Sequence, residues 1–166
     1  MSINHWIVKN LVCTLFLVVG GLNIYAQKDK YLIEAEAFQF KGKWSTDSMG
    51  SAMLRLNGGG SLDEQFDALT VVNIMEEGDY NVWVRSADYD KLPGTRLFRL
   101  SVDEKPMKES GKHGKVGFYW ENAGCVQLAK KQVLLRLHDT KRNFGRCDAI
   151  LLVKDHSINP NEMDRK

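Results

Sequence analysis

The sequence has no surplus of either charge: 23 lysines and arginines stand against 21 aspartates and glutamates, a formal net charge of +2 over 166 residues. A nucleic-acid partner requires a concentrated basic face, and no block of like charge marks a membrane-surface helix. Neither partner is expected. Cysteine is scarce too. Of the three, Cys13 falls in an apolar leader, so only Cys125 and Cys147 belong to the body of the chain. An oxidising compartment would let them pair, and single buried thiols are equally open, because nothing in the sequence brings the two positions together.

Catalytic signatures are missing as well. There is no Gly-x-Ser-x-Gly elbow, no His-Glu-x-x-His, and no phosphate loop ending in Gly-Lys-Ser/Thr. The run Asn57 to Ser61 (NGGGS) lacks the spacing of a dinucleotide fingerprint and reads as a flexible loop. The four histidines, His5, His113, His138 and His156, stand at no metal-ligand spacing. His138 followed by Asp139 imitates a general base with its orienter, but neighbours in a strand point to opposite faces. These absences argue against an enzyme.

Lys9 is the only charged residue among the first 26, and Leu11 to Leu22 forms an apolar core of signal-peptide length. Ala26 before Gln27 suits cleavage. The run is short for a membrane span, which takes about 20 apolar residues; a retained anchor is the alternative. Residues 1–26 are therefore read as a signal peptide, and 27–154 as one domain large enough for a real core. Residues 155–166, polar and without periodicity, are read as a disordered tail. Secretion follows, with no membrane attachment once the leader is removed.

The body of the chain is a series of short runs with strand character, broken by turn residues. These are YLIEAEAFQF (31–40), AMLRL (52–56), ALTVVNIM (68–75), YNVWVRSA (80–87), RLFRLSVD (96–103), CVQLA (125–129) and QVLLRLHD (132–139). CDAILLV (147–153) is apolar on both faces and reads as a central strand. Lys130 and Lys131 suit a hairpin tip, and SLDEQFDAL (61–69) offers at most one helical turn. With no long helical period and no repeat, the pattern predicts an all-β, antiparallel sandwich.

Residues 31–40 pose a chemical question. If they form one strand, Leu32, Glu34, Glu36, Phe38 and Phe40 share a face. Two ionised carboxylates there need a partner if the face is buried, because unpaired burial is very costly. A glycosidase pair would need a deep cleft between its carboxylates, which nothing in this chain supplies. Arg85 or a bound cation such as calcium is the remaining option, and Asp148, embedded in CDAILLV, poses the same puzzle.

In order, IEAEAF, GDYNVWVRSADYD and GRCDAILLV resemble the galactose-binding-like β-sandwiches, and within them the calcium-containing carbohydrate-binding modules. The chain is still more similar to the accessory domain of secreted bacterial FAD-dependent oxidoreductases and polysaccharide lyases. That domain runs EAE, KGGW, YRVWVR, W.W..GG, RCDAILL; this chain has EAE, KGKW, YNVWVR, FYWENAG, RCDAILL. The resemblance spans roughly Tyr31 to Val153 and implies a jelly-roll-like sandwich. It implies a structural calcium held by Glu34, Glu36 and Asp148; an arginine counter-ion, Arg85 or Arg146, is the alternative. It further implies a polysaccharide or glycan as partner, met by Trp44, Tyr89, Tyr119 and Trp120 through ring stacking, with Asn143 reading hydroxyls. The compartment would be the periplasm or exterior of a bacterium. No flavin-binding region is present, so oxidoreductase activity does not come with the resemblance. The other expected role is a structural or interaction module that docks a partner enzyme.

Overall fold

The computed structural model describes residues 24–27, 29–48, 52–56, 66–140 and 144–163. Eleven strands are present among them: β1 (Ile24–Gln27), β2 (Lys30–Glu34), β3 (Trp44–Ser48), β4 (Ala52–Leu56), β5 (Ala68–Asn73), β6 (Gly78–Asp88), β7 (Phe98–Val102), β8 (Lys105–Ser110), β9 (Gly117–Leu128), β10 (Gln132–Asp139) and β11 (Arg146–Val153). Every pairing is antiparallel. They build two sheets, one of seven strands and one of four in the order β5-β10-β7-β8. The signal-peptide reading rests mainly on residues 1–23, outside the described residues; β1 pairs β2 across the expected cleavage point at Ala26.

Strand alternation builds the core. Tyr80, Val82 and Val84 of β6 and Ile150 and Leu152 of β11 meet Leu100 and Val102 of β7 and Val133, Leu135 and Leu137 of β10 in one cluster. Each of these side chains is fully buried, and burial of that kind stabilises by roughly 1.5–3 kcal/mol per large aliphatic side chain. β11 is buried along its whole length, as its two-faced apolar pattern predicts. On one side it pairs β6; on the other it pairs β4 through Arg146 and Cys147, then β2 from Ala149 onward. The register of β11 against β6 shifts between Cys147 and Ala149, which puts Asp148 at the change of partner.

Two local expectations differ from the structure, and one left open is decided. Residues 31–40 do not form one strand: β2 ends at Glu34 and a 3₁₀ turn spans Ala35–Ala37. The turn breaks the two-residue period, so Tyr31, Ile33, Ala35 and Phe38 are buried while Phe40 is exposed. Lys130–Lys131 is not a hairpin tip, because β9 pairs β6 and β10 pairs β5 and β7. Leu128 and Val133 on either side both enter the core, so the link crosses between sheets. Cys125 and Cys147 are free, the first exposed and the second buried. The helical turn considered at 61–69 lies mostly outside the described residues.

Candidate functional site

The acidic residues converge at the partner change of β11. Glu34 ends β2 opposite Ala149, Glu36 sits on the 3₁₀ turn, and Asp148 occupies the irregularity. All three push the buried Cys147 thiol pKa upward, after the larger effect of burial itself. Burial also raises the Glu36 carboxyl, and the charge of Asp148 adds to it. From the opposite side, Arg85 of β6 donates from Nη1 to Asp148 Oδ2 at 2.6 Å, with side-chain exposures of 12% and 2%. Glu36 Oε2 is buried without a hydrogen-bond partner. Among the described residues no group of three His, Cys, Asp or Glu is disposed to hold a metal ion. The three acids come near one another around Cys147, and the one of them seen against a guanidinium is Asp148. This arrangement does not fit a calcium cage.

Arg85 also belongs to the aromatic face. Along β9, positions two apart share a face, and Phe118, Trp120 and Asn122 pair with Ala87, Arg85 and Trp83 of β6. The Arg85 guanidinium carbon lies 4.5 Å from the Phe118 ring centroid, so one cation is held between a carboxylate and a ring. The pairing turns the free N–H and C=O of Trp120 toward the sheet edge. Asn161 takes both: Trp120 N–H donates to Asn161 Oδ1, and Asn161 Nδ2 donates to the Trp120 carbonyl, each at 2.9 Å. An amide side chain thus does the work of a neighbouring strand at an exposed edge, and buried Pro160 anchors the same segment. Arg85, Phe118, Tyr119, Trp120, Pro160, Asn161 and Met163 line a shallow cleft of about 160 Å³. A wider groove of about 540 Å³, lined by Glu77, Gly78, Gln127, Leu128 and Ala129, contains no aromatic ring.

The candidates named from sequence separate accordingly. Tyr119 and Trp120 both line the cleft, but as neighbours on β9 their side chains take opposite faces, and the Tyr119 ring leans on His113 (5.7 Å) and Lys115 Nζ (3.8 Å). Trp44 is 3% exposed and packs edge-on against Phe98 at 5.7 Å; it offers no stacking surface. Tyr89 lies beyond the end of β6 beneath Arg146, whose guanidinium carbon is 4.4 Å from its ring centroid. Asn143 lies outside the described residues. Phe118 is legible as a ligand candidate only through the i, i+2 pattern of FYWEN, once that run is taken as strand; Arg85 at the cleft and Asn161 give no such signal.

His138 takes partners other than Asp139. Its Nε2 is 2.7 Å from Ser101 Oγ on β7, and its Nδ1 is 2.9 Å from Asp67 Oδ2. The atoms match a serine–histidine–aspartate relay, but the geometry does not complete one. Asp67 Oδ2 has no hydrogen-bond partner, so the His138 contact is close without being aligned. Ser101 is 6% exposed in mid-strand, flanked by β10 and β8. The set reads as a polar clamp across β5, β10 and β7.

No protein-family model matches the sequence, and no curated protein matches it. Solved structures do. The chain superposes on a β-(1,4)-mannanase carrying a family 35 carbohydrate-binding module from Podospora anserina, with TM-score 0.60 and 19% identity over 81% of this chain and 31% of that one. It superposes on a family 35 carbohydrate-binding module from Clostridium thermocellum with TM-score 0.56 and 15% identity, over 74% of this chain and 96% of that one. The C-terminal family 6 module of the laminarinase LamC from Zobellia galactanivorans gives 0.59 and 15%, over 76% and 100%. This chain thus spans under a third of the mannanase. The fold is an antiparallel β-sandwich, similar to that of carbohydrate-binding modules.

Proposed function

We propose that this protein is a secreted, non-catalytic module that binds a polysaccharide through the outer face of β6 and β9. The cleft that gathers Arg85, Phe118, Trp120 and Asn161 carries the reading. Aromatic rings offer the C–H face of a sugar an apolar surface, and the guanidinium at the rim supplies donors for hydroxyls. The cleft is below the volume of an enclosed small-molecule pocket, which suits shallow contact with a polymer. Rigid strands position the rings, so little ordering accompanies binding. The sandwich likeness to carbohydrate-binding modules supports the same reading.

The acids at β11 are read as scaffold, with Arg85 as the counter-ion of Asp148. The Ser101–His138 contact specifically favours a hydrolase as the second reading; the buried hydroxyl and the misaligned Asp67 weigh against it. The test is affinity gel electrophoresis of the secreted chain against a panel of plant, algal and bacterial polysaccharides, with Trp120→Ala alongside. Retardation by at least one polymer, lost in a folded Trp120→Ala, is expected. If no polymer retards the folded wild type, the protein is instead a docking module for a partner enzyme.

A further inference from the structure

Beyond the end of β6, two arginines lie over one tyrosine, and a third stands beside one of them. Arg146 of β11 pairs across the sheet with Arg55 of β4. The guanidinium carbons of Arg146 and Arg96 lie 4.4 and 6.0 Å from the Tyr89 ring centroid. Their counter-charges are unequal. Arg55 has Asp47 at 2.8 Å. Arg96 stands 4.0 Å from Asp88, whose two oxygens already accept the Tyr89 and Gly94 N–H groups at 2.8 and 2.7 Å. Arg146 has no carboxylate partner among the described residues. It donates to the Phe144 carbonyl at 3.2 Å, its Nε is buried without a partner, and the residue is only 8% exposed. Burial lowers its pKa most; Tyr89 opposes that, and the charges of Arg96 and Arg55 push by smaller amounts in the same direction as burial. A buried cation among like charges is costly unless an anion meets it.

We propose that Arg146 and Arg96, stacked on Tyr89 and backed by Arg55, form a subsite for the anionic group of an acidic glycan, a uronate carboxylate or a sulfate ester. This rests on the glycan-binding reading and names its substrate class. A guanidinium presents a planar fork that matches either oxyanion, and Tyr89 holds that plane in place. Arg85 and Tyr89 are four residues apart on the same chain, Arg85 within β6 and Tyr89 just past its end. A polymer lying along that strand could therefore meet the Trp120 cleft with one residue and the arginines with another.

The experiment is affinity electrophoresis of the full chain in polygalacturonate, in the same polymer after carboxyl reduction, and in sulfated dextran. Retention tenfold or more stronger in polygalacturonate than in its reduced form is expected. Arg146→Gln and Arg96→Gln should abolish that advantage, whereas Trp120→Ala should weaken both polymers alike. Preference for sulfated dextran, lost in the same variants, would support the subsite with sulfate as its anion. Equal retention of acidic and reduced polymers, or an advantage that survives Arg146→Gln, overturns the subsite and leaves glycan binding standing. No retention of any polymer overturns both. If Arg146→Gln melts too low to assay, Arg96→Gln, in the loop between β6 and β7, decides.

Discussion

Replacing Arg85 with methionine is the sharpest perturbation of the scaffold. The change keeps an unbranched apolar stem and removes the cation 2.6 Å from Asp148. Asp148 would remain 98% shielded at its side chain, inside the field of Glu34 and Glu36 that already acts on Cys147. Breaking a buried pair by deleting one partner costs about 3–5 kcal/mol, whereas replacing both with apolar groups is often neutral. Loss of the guanidinium over Phe118 adds about 0.5–1 kcal/mol. Urea denaturation of Arg85→Met should therefore show at least about 3 kcal/mol lost, and thermal melting a midpoint drop of about 10 °C for a chain of this size. Arg85→Met combined with Asp148→Leu should recover most of it. The reasoning fails if the single variant loses under about 1 kcal/mol, or if a chelator lowers the wild-type midpoint as a stabilising bound metal would require.

Glu36→Gln should stabilise the protein at neutral pH. Its carboxyl is raised above 4.5 by burial and by Asp148, so the folded state holds the proton more tightly, and stability falls as pH rises from 4.5 through the folded-state value. The gain of the variant should shrink to nothing below pH 4.5; destabilisation at pH 7 would instead mark Glu36 as a ligand of some cation. Asn161→Ala removes two hydrogen bonds from the edge of β9 and should cost about 1–2 kcal/mol, with faster amide exchange at Trp120; unchanged exchange would show that the edge is not held by that residue. Ser101→Ala should cost about 1 kcal/mol and leave background hydrolysis of an activated ester untouched, while labelling of Ser101 by a fluorophosphonate would revive the hydrolase reading.

Much of the scaffold is legible in the residues, because two-residue alternation and burial leave a direct trace. AMLRL and QVLLRLHD match β4 and β10 residue for residue, and the two-faced apolar run of β11 announces a central strand. The polar strands β3 (WSTDS) and β8 (KPMKES) leave no such trace. Each is an end strand of its sheet, held by backbone bonds to one neighbour, and needs little apolar surface. The site was only half visible for a related reason. Trp120 and Tyr119 could be named as rings, but Trp44 looks the same in sequence and is core, since only packing against Phe98 separates the two roles. Arg85 and Asn161 act through residues 63 and 41 positions away, a separation that periodicity cannot register.

The central claim is that the outer face of β6 and β9 binds a glycan. Mapping amide shifts while titrating the isotope-labelled protein with a polysaccharide that retards it tests this most directly. Perturbations confined to Arg85, Phe118, Trp120, Asn161 and their neighbours, extending to Tyr89 and Arg146 with an acidic polymer, are predicted. Shifts centred on the four-stranded sheet around Ser101 and His138, with the Trp120 face silent, would contradict the account.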